Sequence, residues 1–314
     1  MREGKARGSE LVIYDDGTLY HIDLKRADRI PPNLFFVGAA DRVDTIAKYF
    51  DTVTFRHRNK SRPEFYTITG RYKNIPIAVM STGIGPDNIE IIMNELHALF
   101  EYNHRSDTWS RKPAKVNIIR IGTAGTSLKE IPGGALTISK YSIGLDNLGA
   151  YYPPKKQDAV TRTIEKDFLK TRIGKINPLS YVASASPKVV AALEGAAKKI
   201  DGARVFSGLT TASPGFFAPE GRTIGRMKTA LKLEQFVREV STFSTRGLRI
   251  INHEMETSSL FRLGNEILGY NAGAICVVVD NLSTDEFIDK KRAEKCMDHC
   301  IKIALEAMVK LARN

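Results

Sequence analysis

Short, wholly apolar runs alternate along the chain with stretches whose apolar residues recur every third or fourth position, the periods of a buried strand and an amphipathic helix. Leu34-Phe35-Phe36-Val37 reads as a strand. It leads through Gly38-Ala39-Ala40-Asp41-Arg42 into a helical pattern at Val43, Ile46, Ala47 and Phe50. Ile77-Ala78-Val79-Met80 ends in Ser81-Thr82-Gly83-Ile84-Gly85-Pro86, after which Asp87 and Glu90 cap a helix with Ile89, Ile92, Met93, Leu96 and Phe100 on its apolar face. Further strands are predicted over Val116 to Gly125, Gly133 to Ile138, Val205 to Ala212 and Ala272 to Val279. Ser186-Pro187 opens a helix by its cap and first-turn proline, another runs to Leu268 and stops at Gly269, and a third closes the chain.

Four segments lack a clear period. Residues 1–18 form a polar arm before a domain spanning 19–314, and Leu19 to Leu24 is an edge strand or an extended arm. Asn103 to Lys115, with the only Trp, reads as a surface loop, and Tyr151 to Asn177 as a charged, irregular insertion. Strands and helices interleave, and the polar signals cluster after strands, as in an α/β sheet that binds ligands at its strand ends.

With 42% apolar and 26% charged residues in a 314-residue chain, the composition is that of a globular protein. Residues 1–8 have no apolar signal core and no later run is long enough to span a membrane, so a cytoplasmic location is expected, with no membrane partner. Three cysteines are too few for a disulfide framework. Cys296, His299 and Cys300 lie one turn apart and could ligate a metal, yet both sulfurs also fit an apolar helix stripe with Ala293, Met297, Ala304, Met308 and Leu311. The formal charge of +12 raises nucleic acid as a partner, but the basic residues are scattered in modest clusters. No nucleic acid is expected.

The chemistry concentrates in a few stretches. In Asn252-His253-Glu254-Met255-Glu256, an extended backbone would put both carboxylates on one face, either as a solvated turn or as a grip on a polyol. Arg120 stands in an otherwise apolar strand and needs a partner, either a bound anion or a protein carboxylate. The Gly38 turn is an anion cradle or a plain tight turn. Phe216-Phe217, near Glu220 and Arg222, fills a core edge or stacks on a planar ring.

Taken together, Tyr20-His21, Gly38 with Asp41-Arg42, Ser81 to Gly85 with Glu95-Leu96, Arg120 to Thr123, Phe216-Phe217 with Gly221-Arg222, and Glu254-Met255-Glu256 resemble the nucleoside phosphorylase family, the uridine phosphorylase branch in particular. The resemblance implies a single three-layer α/β/α domain around a mixed, partly barrel-like sheet. It implies that Gly38, Arg42, Arg120 and Thr123 bind phosphate, that Met255 and Glu256 hold the ribose, and that Phe216, Glu220, Arg222 and Gly125 face the base. His21 would reach a neighbouring subunit's ribose in a homodimer or a hexamer of three dimers. Arg62, beside Pro63 at the aligned position, would reach its phosphate.

The implied reaction takes uridine and inorganic phosphate to uracil and ribose 1-phosphate, with Arg120, Glu256 and Asp280 as catalytic residues and no metal or organic cofactor. Two departures bear on the base. Glu220 stands where uridine phosphorylases usually carry Gln, and Asp280-Asn281 replaces the usual Asn-Arg; in purine nucleoside phosphorylases an Asp here protonates purine N7. Purine phosphorolysis is therefore the alternative, ahead of a nucleosidase of the same fold. An ionised Glu only accepts hydrogen bonds, so Glu220→Gln is expected to raise uridine activity. Because Lys lacks the guanidinium fork, Arg120→Lys should lower kcat/KM for phosphate by about tenfold or more while the melting temperature changes little; unchanged phosphate kinetics would remove Arg120 from that role.

Overall fold

The protein's structure, a computed structural model, describes residues 8–313. Its strands of four or more residues are β1 (Asn33–Val37), β2 (Thr52–Arg58), β3 (Tyr66–Tyr72), β4 (Ile75–Ser81), β5 (Asn117–Thr126), β6 (Leu136–Gly144), β7 (Tyr181–Ser184), β8 (Val205–Ala212), β9 (Leu248–Glu254) and β10 (Asn271–Asn281). They form one mixed sheet in the order β9-β8-β6-β10-β5-β1-β4-β3-β2, with β7 paired to β6. Strands β4, β1, β5 and β10 run parallel, whereas β6 is antiparallel to β10 and parallel to β8. A bridge between His253 and Gly125 joins β9 back to β5, so β9, β8, β6, β10 and β5 close into a partial barrel. The expected mixed, barrel-like sheet is the one observed.

Burial follows strand position. Every residue of β1 is buried, as a parallel strand covered on both faces requires, while edge strand β2 is exposed or half-exposed throughout. Helices α1 (Ala40–Ala47), α2 (Pro86–Glu101), α3 (Ala159–Phe168), α4 (Pro187–Ala197), α5 (Leu233–Thr242), α6 (Thr257–Phe261) and α7 (Lys290–Ala312) complete the layers. Helices α4 and α7 pack on β10 and each other, and α2 and α6 pack together beside the helical turn Arg262–Ile267. In α7 the predicted stripe is present, with Cys300, Ala304 and Met308 fully buried. No three His, Cys, Asp or Glu side chains among the described residues converge on a metal position. No helix among them is long and apolar enough to cross a membrane.

Several segments depart from the sequence reading. Tyr151 to Asn177 is largely helical: the Asp158 side chain accepts from the backbone of Val160 and Thr161 and starts α3, whose Thr161, Ile164 and Phe168 are buried. Its many charges occupy the outer face and mask the period. Asn103 to Lys115 contains a small hairpin, Tyr102–Asn103 with Thr108–Trp109, because Trp109 packs on His97 and Tyr102 with ring centroids 4.8 and 5.0 Å apart. Strands β2, β3 and β7 and helix α5 carry no strong signal in the sequence. Leu19, Ile22 and Leu24 are buried without forming a strand; the Glu95 carboxylate instead accepts from the backbone N–H groups of His21 and Ile22. The helix ending near Gly269 is α6 continued by a π turn, and Gly269 takes the left-handed conformation expected of a stop.

Candidate active site

The loop after β1, the body of β5 and the ends of β9 and β10 meet over a cavity of about 260 Å³, walled also by Ile84, Phe216, Glu220 and Arg222. This is where an α/β sheet places its ligands. On its floor, Arg120 projects from the middle of β5 and folds back over Gly122, where any Cβ would collide with the guanidinium. Its Nη2 donates to Glu256 Oε2, Nη1 lies 3.5 Å from Glu254 Oε2, and Nη1 donates to Cys276 Sγ at 3.4 Å. Burial alone would make this guanidinium easier to deprotonate; the Glu256 and Glu254 charges outweigh it and raise the pKa.

The two glutamates divide the work. Strand β9 ends at Glu254, whose carboxylate accepts from the backbone N–H groups of Glu256 and Thr257, each at 3.0 Å, and so caps α6. Burial pushes its pKa up, opposed by Arg120 and reinforced by Glu256. The turn then brings Glu256 into the cavity wall, its Oε1 accepting from Gly85 N at 2.8 Å, and Gly85 has the positive φ that favours glycine. The acids are therefore neither a solvated turn nor an extended pair on one strand face. Both converge on Arg120, so the alternative of a protein carboxylate partner for that arginine is realised inside the cavity itself.

Arg42, from the first turn of α1, also reaches the floor, where its Nη1 donates to Ile121 O at 3.4 Å. Burial, and then repulsion from Arg120, lower its pKa, and two like charges this close favour an anion near them. Gly38 and Thr123 line the same floor.

At the other end, Arg222 lies across the Phe216 ring, its Cζ 4.1 Å from the centroid. It donates to Glu220 Oε2 and, at 2.9 Å, to Asp280 Oδ2. Glu220 Oε2 also lies 3.2 Å from His253 Nδ1. Burial would raise the Glu220 pKa, but His253 and Arg222 together hold it below the usual value. Met255 and Gly125 complete this wall.

Two predicted residues lie elsewhere. His21 Nδ1 donates to Glu95 Oε1 at 2.6 Å, and Arg62 lies over the Tyr20 ring, 4.1 Å from its centroid. Neither lines the cavity. They form one unit: Asn59 donates to His21 O at 2.8 Å and accepts from the backbone N–H of Arg62 at 3.0 Å. His253 and Ile84 line the cavity without having been singled out in the sequence. The only local signal for His253 was an imidazole in an apolar strand beside two acids.

A partly closed mixed sheet with one guanidinium group in mid-strand, another from the first turn of α1 and a carboxylate just past a strand end makes a pocket with the chemistry to hold an anion beside a polyhydroxyl ligand. Residues 34–310 match the phosphorylase superfamily, and the chain belongs to it. Among curated relatives it is similar to the uridine phosphorylase of Thermococcus kodakarensis, 29% identical over 93% of this chain and 88% of that one. It is also similar to the uridine phosphorylase of Escherichia coli, 25% identical over 93% and 98%. Among solved structures, a Trypanosoma brucei nucleoside phosphorylase described as showing uridine phosphorylase activity superposes with a TM-score of 0.88 at 31% identity, covering 96% of this chain and 99% of that one.

The Glu220 environment reverses the expectation drawn from its acceptor-only chemistry. The carboxylate already pairs with the Arg222 guanidinium and the His253 imidazole, so Glu220→Gln should lower uridine kcat/KM by about tenfold to a hundredfold, the worth of one charge-assisted hydrogen bond. Steady-state kinetics check this; a rise would restore the simpler picture of a lone carboxylate facing the base.

Proposed function

We propose that this protein phosphorolyses uridine, taking uridine and inorganic phosphate to uracil and ribose 1-phosphate. The observation that carries the reading is one cavity in which Arg42 and Arg120 share a floor with Glu256, while Phe216, Glu220 and Arg222 form the far end. Phosphate lies against the two guanidinium groups, with Gly38 and Thr123 beside it. Glu256, held by Arg120 and Gly85 N, accepts from the ribose hydroxyls, and Met255 packs against the sugar.

As the C1′–N1 bond lengthens, the sugar gains oxocarbenium character, which the phosphate charge and the Glu256 carboxylate stabilise from either side. The phosphate oxygen bonds to C1′, and the electron pair of the broken bond passes to the base. Positioning and charge supply the acceleration, so inorganic phosphate is the only co-substrate required. Asp280 acts through Arg222, its ion-pair partner at 2.9 Å.

The same ion pair weighs against the purine alternative, because it commits Asp280 Oδ2 to Arg222. A water nucleophile would leave Arg42, which reaches the cavity floor beside Arg120, with no anion to hold. His21 and Arg62, tied together through Asn59 and away from this chain's own cavity, support a homodimer in which each subunit completes its partner's site, or a ring of three such dimers. The three free cysteines suit a cytoplasmic enzyme.

Incubation with uridine, thymidine, cytidine, inosine and adenosine, each with and without phosphate, tests the reaction by ultraviolet absorbance. Uridine turnover that requires phosphate is expected. Preference for inosine would replace the substrate, and turnover without phosphate would replace the reaction class. For the shared site, co-expression of Glu256→Ala subunits with His21→Ala/Arg62→Ala subunits should restore activity that each homo-oligomer lacks; no gain would place every functional residue within one subunit.

A further inference from the structure

His253 occupies the point where the barrel closes, opposite Gly125. Its imidazole is almost wholly buried and lies over that glycine, where an added Cβ would run into ring atoms Cε1 and Nε2. Both residues belong to the cavity wall. Nδ1 faces Glu220 Oε2 at 3.2 Å, whereas Nε2 is buried with no hydrogen-bond partner among the described residues. A buried imidazole nitrogen left unsatisfied in a residue of the cavity wall costs free energy until it meets a partner. The charged groups around it are Glu220, Arg222 beyond that carboxylate, Asp280, whose Oδ1 overhangs the same glycine, and Glu254 next along its own strand. On the remaining side, the Phe236 ring of α5 meets the imidazole edge-on with centroids 5.4 Å apart.

We infer that His253 reads the base and takes up its developing charge, Nδ1–H donating to Glu220 and Nε2–H donating to a carbonyl oxygen of the pyrimidine. This rests on uridine phosphorolysis as the reaction. When the C1′–N1 bond breaks, its electron pair spreads over N1 and the two ring carbonyl oxygens, and a donor at one oxygen stabilises the leaving anion. The proton of hydrogen phosphate ends on uracil, so His253 shares its own proton without losing it. Both ion pairs of Glu220 use Oε2, leaving Oε1 to accept from the ring N3–H. Glu220 and His253 together thus present the acceptor and the donor that a single carboxamide would present. Glu220 here is a positioning residue for the imidazole as well as a contact to the base, and this pairing accounts for a carboxylate at that position.

Comparing uridine with 5-fluorouridine, whose more acidic base leaves more readily, separates this role from a structural one. His253→Phe should lower kcat/KM for uridine by about a hundredfold and for 5-fluorouridine by no more than about tenfold. His253→Gln keeps an N–H near the Nε2 position and should recover much of the uridine loss; it also serves as the test variant if thermal melting shows the Phe form unfolded, with uridine again the more affected substrate. Equal losses on both substrates, in whichever variant folds, would overturn the assignment while leaving phosphorolysis intact. A wild-type enzyme that leaves both nucleosides untouched with phosphate present would overturn the reaction, and this role with it.

Discussion

The structure turns on a guanidinium group that the protein removes from water and surrounds with its own acids. Arg120 is 5% exposed, with Glu256 and Glu254 as ion partners and Arg42 as a like-charged neighbour. Desolvating such groups offsets much of their mutual attraction, so the cluster contributes little net stability, although removing one partner from a buried pair typically costs about 3–5 kcal/mol. Its value lies in preorganisation. Glu256 is held by Arg120 on one oxygen and by a backbone N–H on the other, and the acid proposed to contact the sugar is therefore oriented by an arginine proposed to hold phosphate. In that proposal, ribose and phosphate recognition are mechanically one arrangement.

The fold serves that arrangement through close approaches. Gly122 leaves room for Arg120 to bend back along its own strand, and Gly125 leaves room for His253 and Asp280 where β9 meets β5. Barrel closure thereby brings Arg120 and Thr123 of β5 within one cavity of the acid-bearing end of β9 and the aromatic loop at 216–222. The base end repeats the electrostatic theme of the floor: Glu220 and Asp280 are set against Arg222 and His253.

Much of this was legible from residue patterns, for definite reasons. Strands β1, β4, β5 and β10 are buried along most of their length and are written largely as apolar runs. Edge strand β2, Thr-Val-Thr-Phe-Arg-His-Arg, meets solvent on both faces and carries no such signature. Helix α3 was hidden because its buried positions are few and one of them is Thr161. Arg120 and Glu256 stood out because a charge amid apolar residues demands a partner. The identity of that partner was less accessible, since Glu254, Glu256 and Gly85 reach Arg120 or each other only through the turn after β9. The setting of Glu220 was out of reach for the same kind of reason: it depends on His253 and Arg222, and only the closed sheet brings the former to it.

The most direct measurement is a crystal structure with ribose 1-phosphate bound. The account places the phosphate oxygens on the Arg42 and Arg120 guanidinium groups and the 2′ and 3′ hydroxyls on the Glu256 carboxylate, within the cavity that Phe216 and Arg222 close. A sugar phosphate seated elsewhere, or a phosphate in that cavity with Glu256 turned away from the sugar, would contradict it.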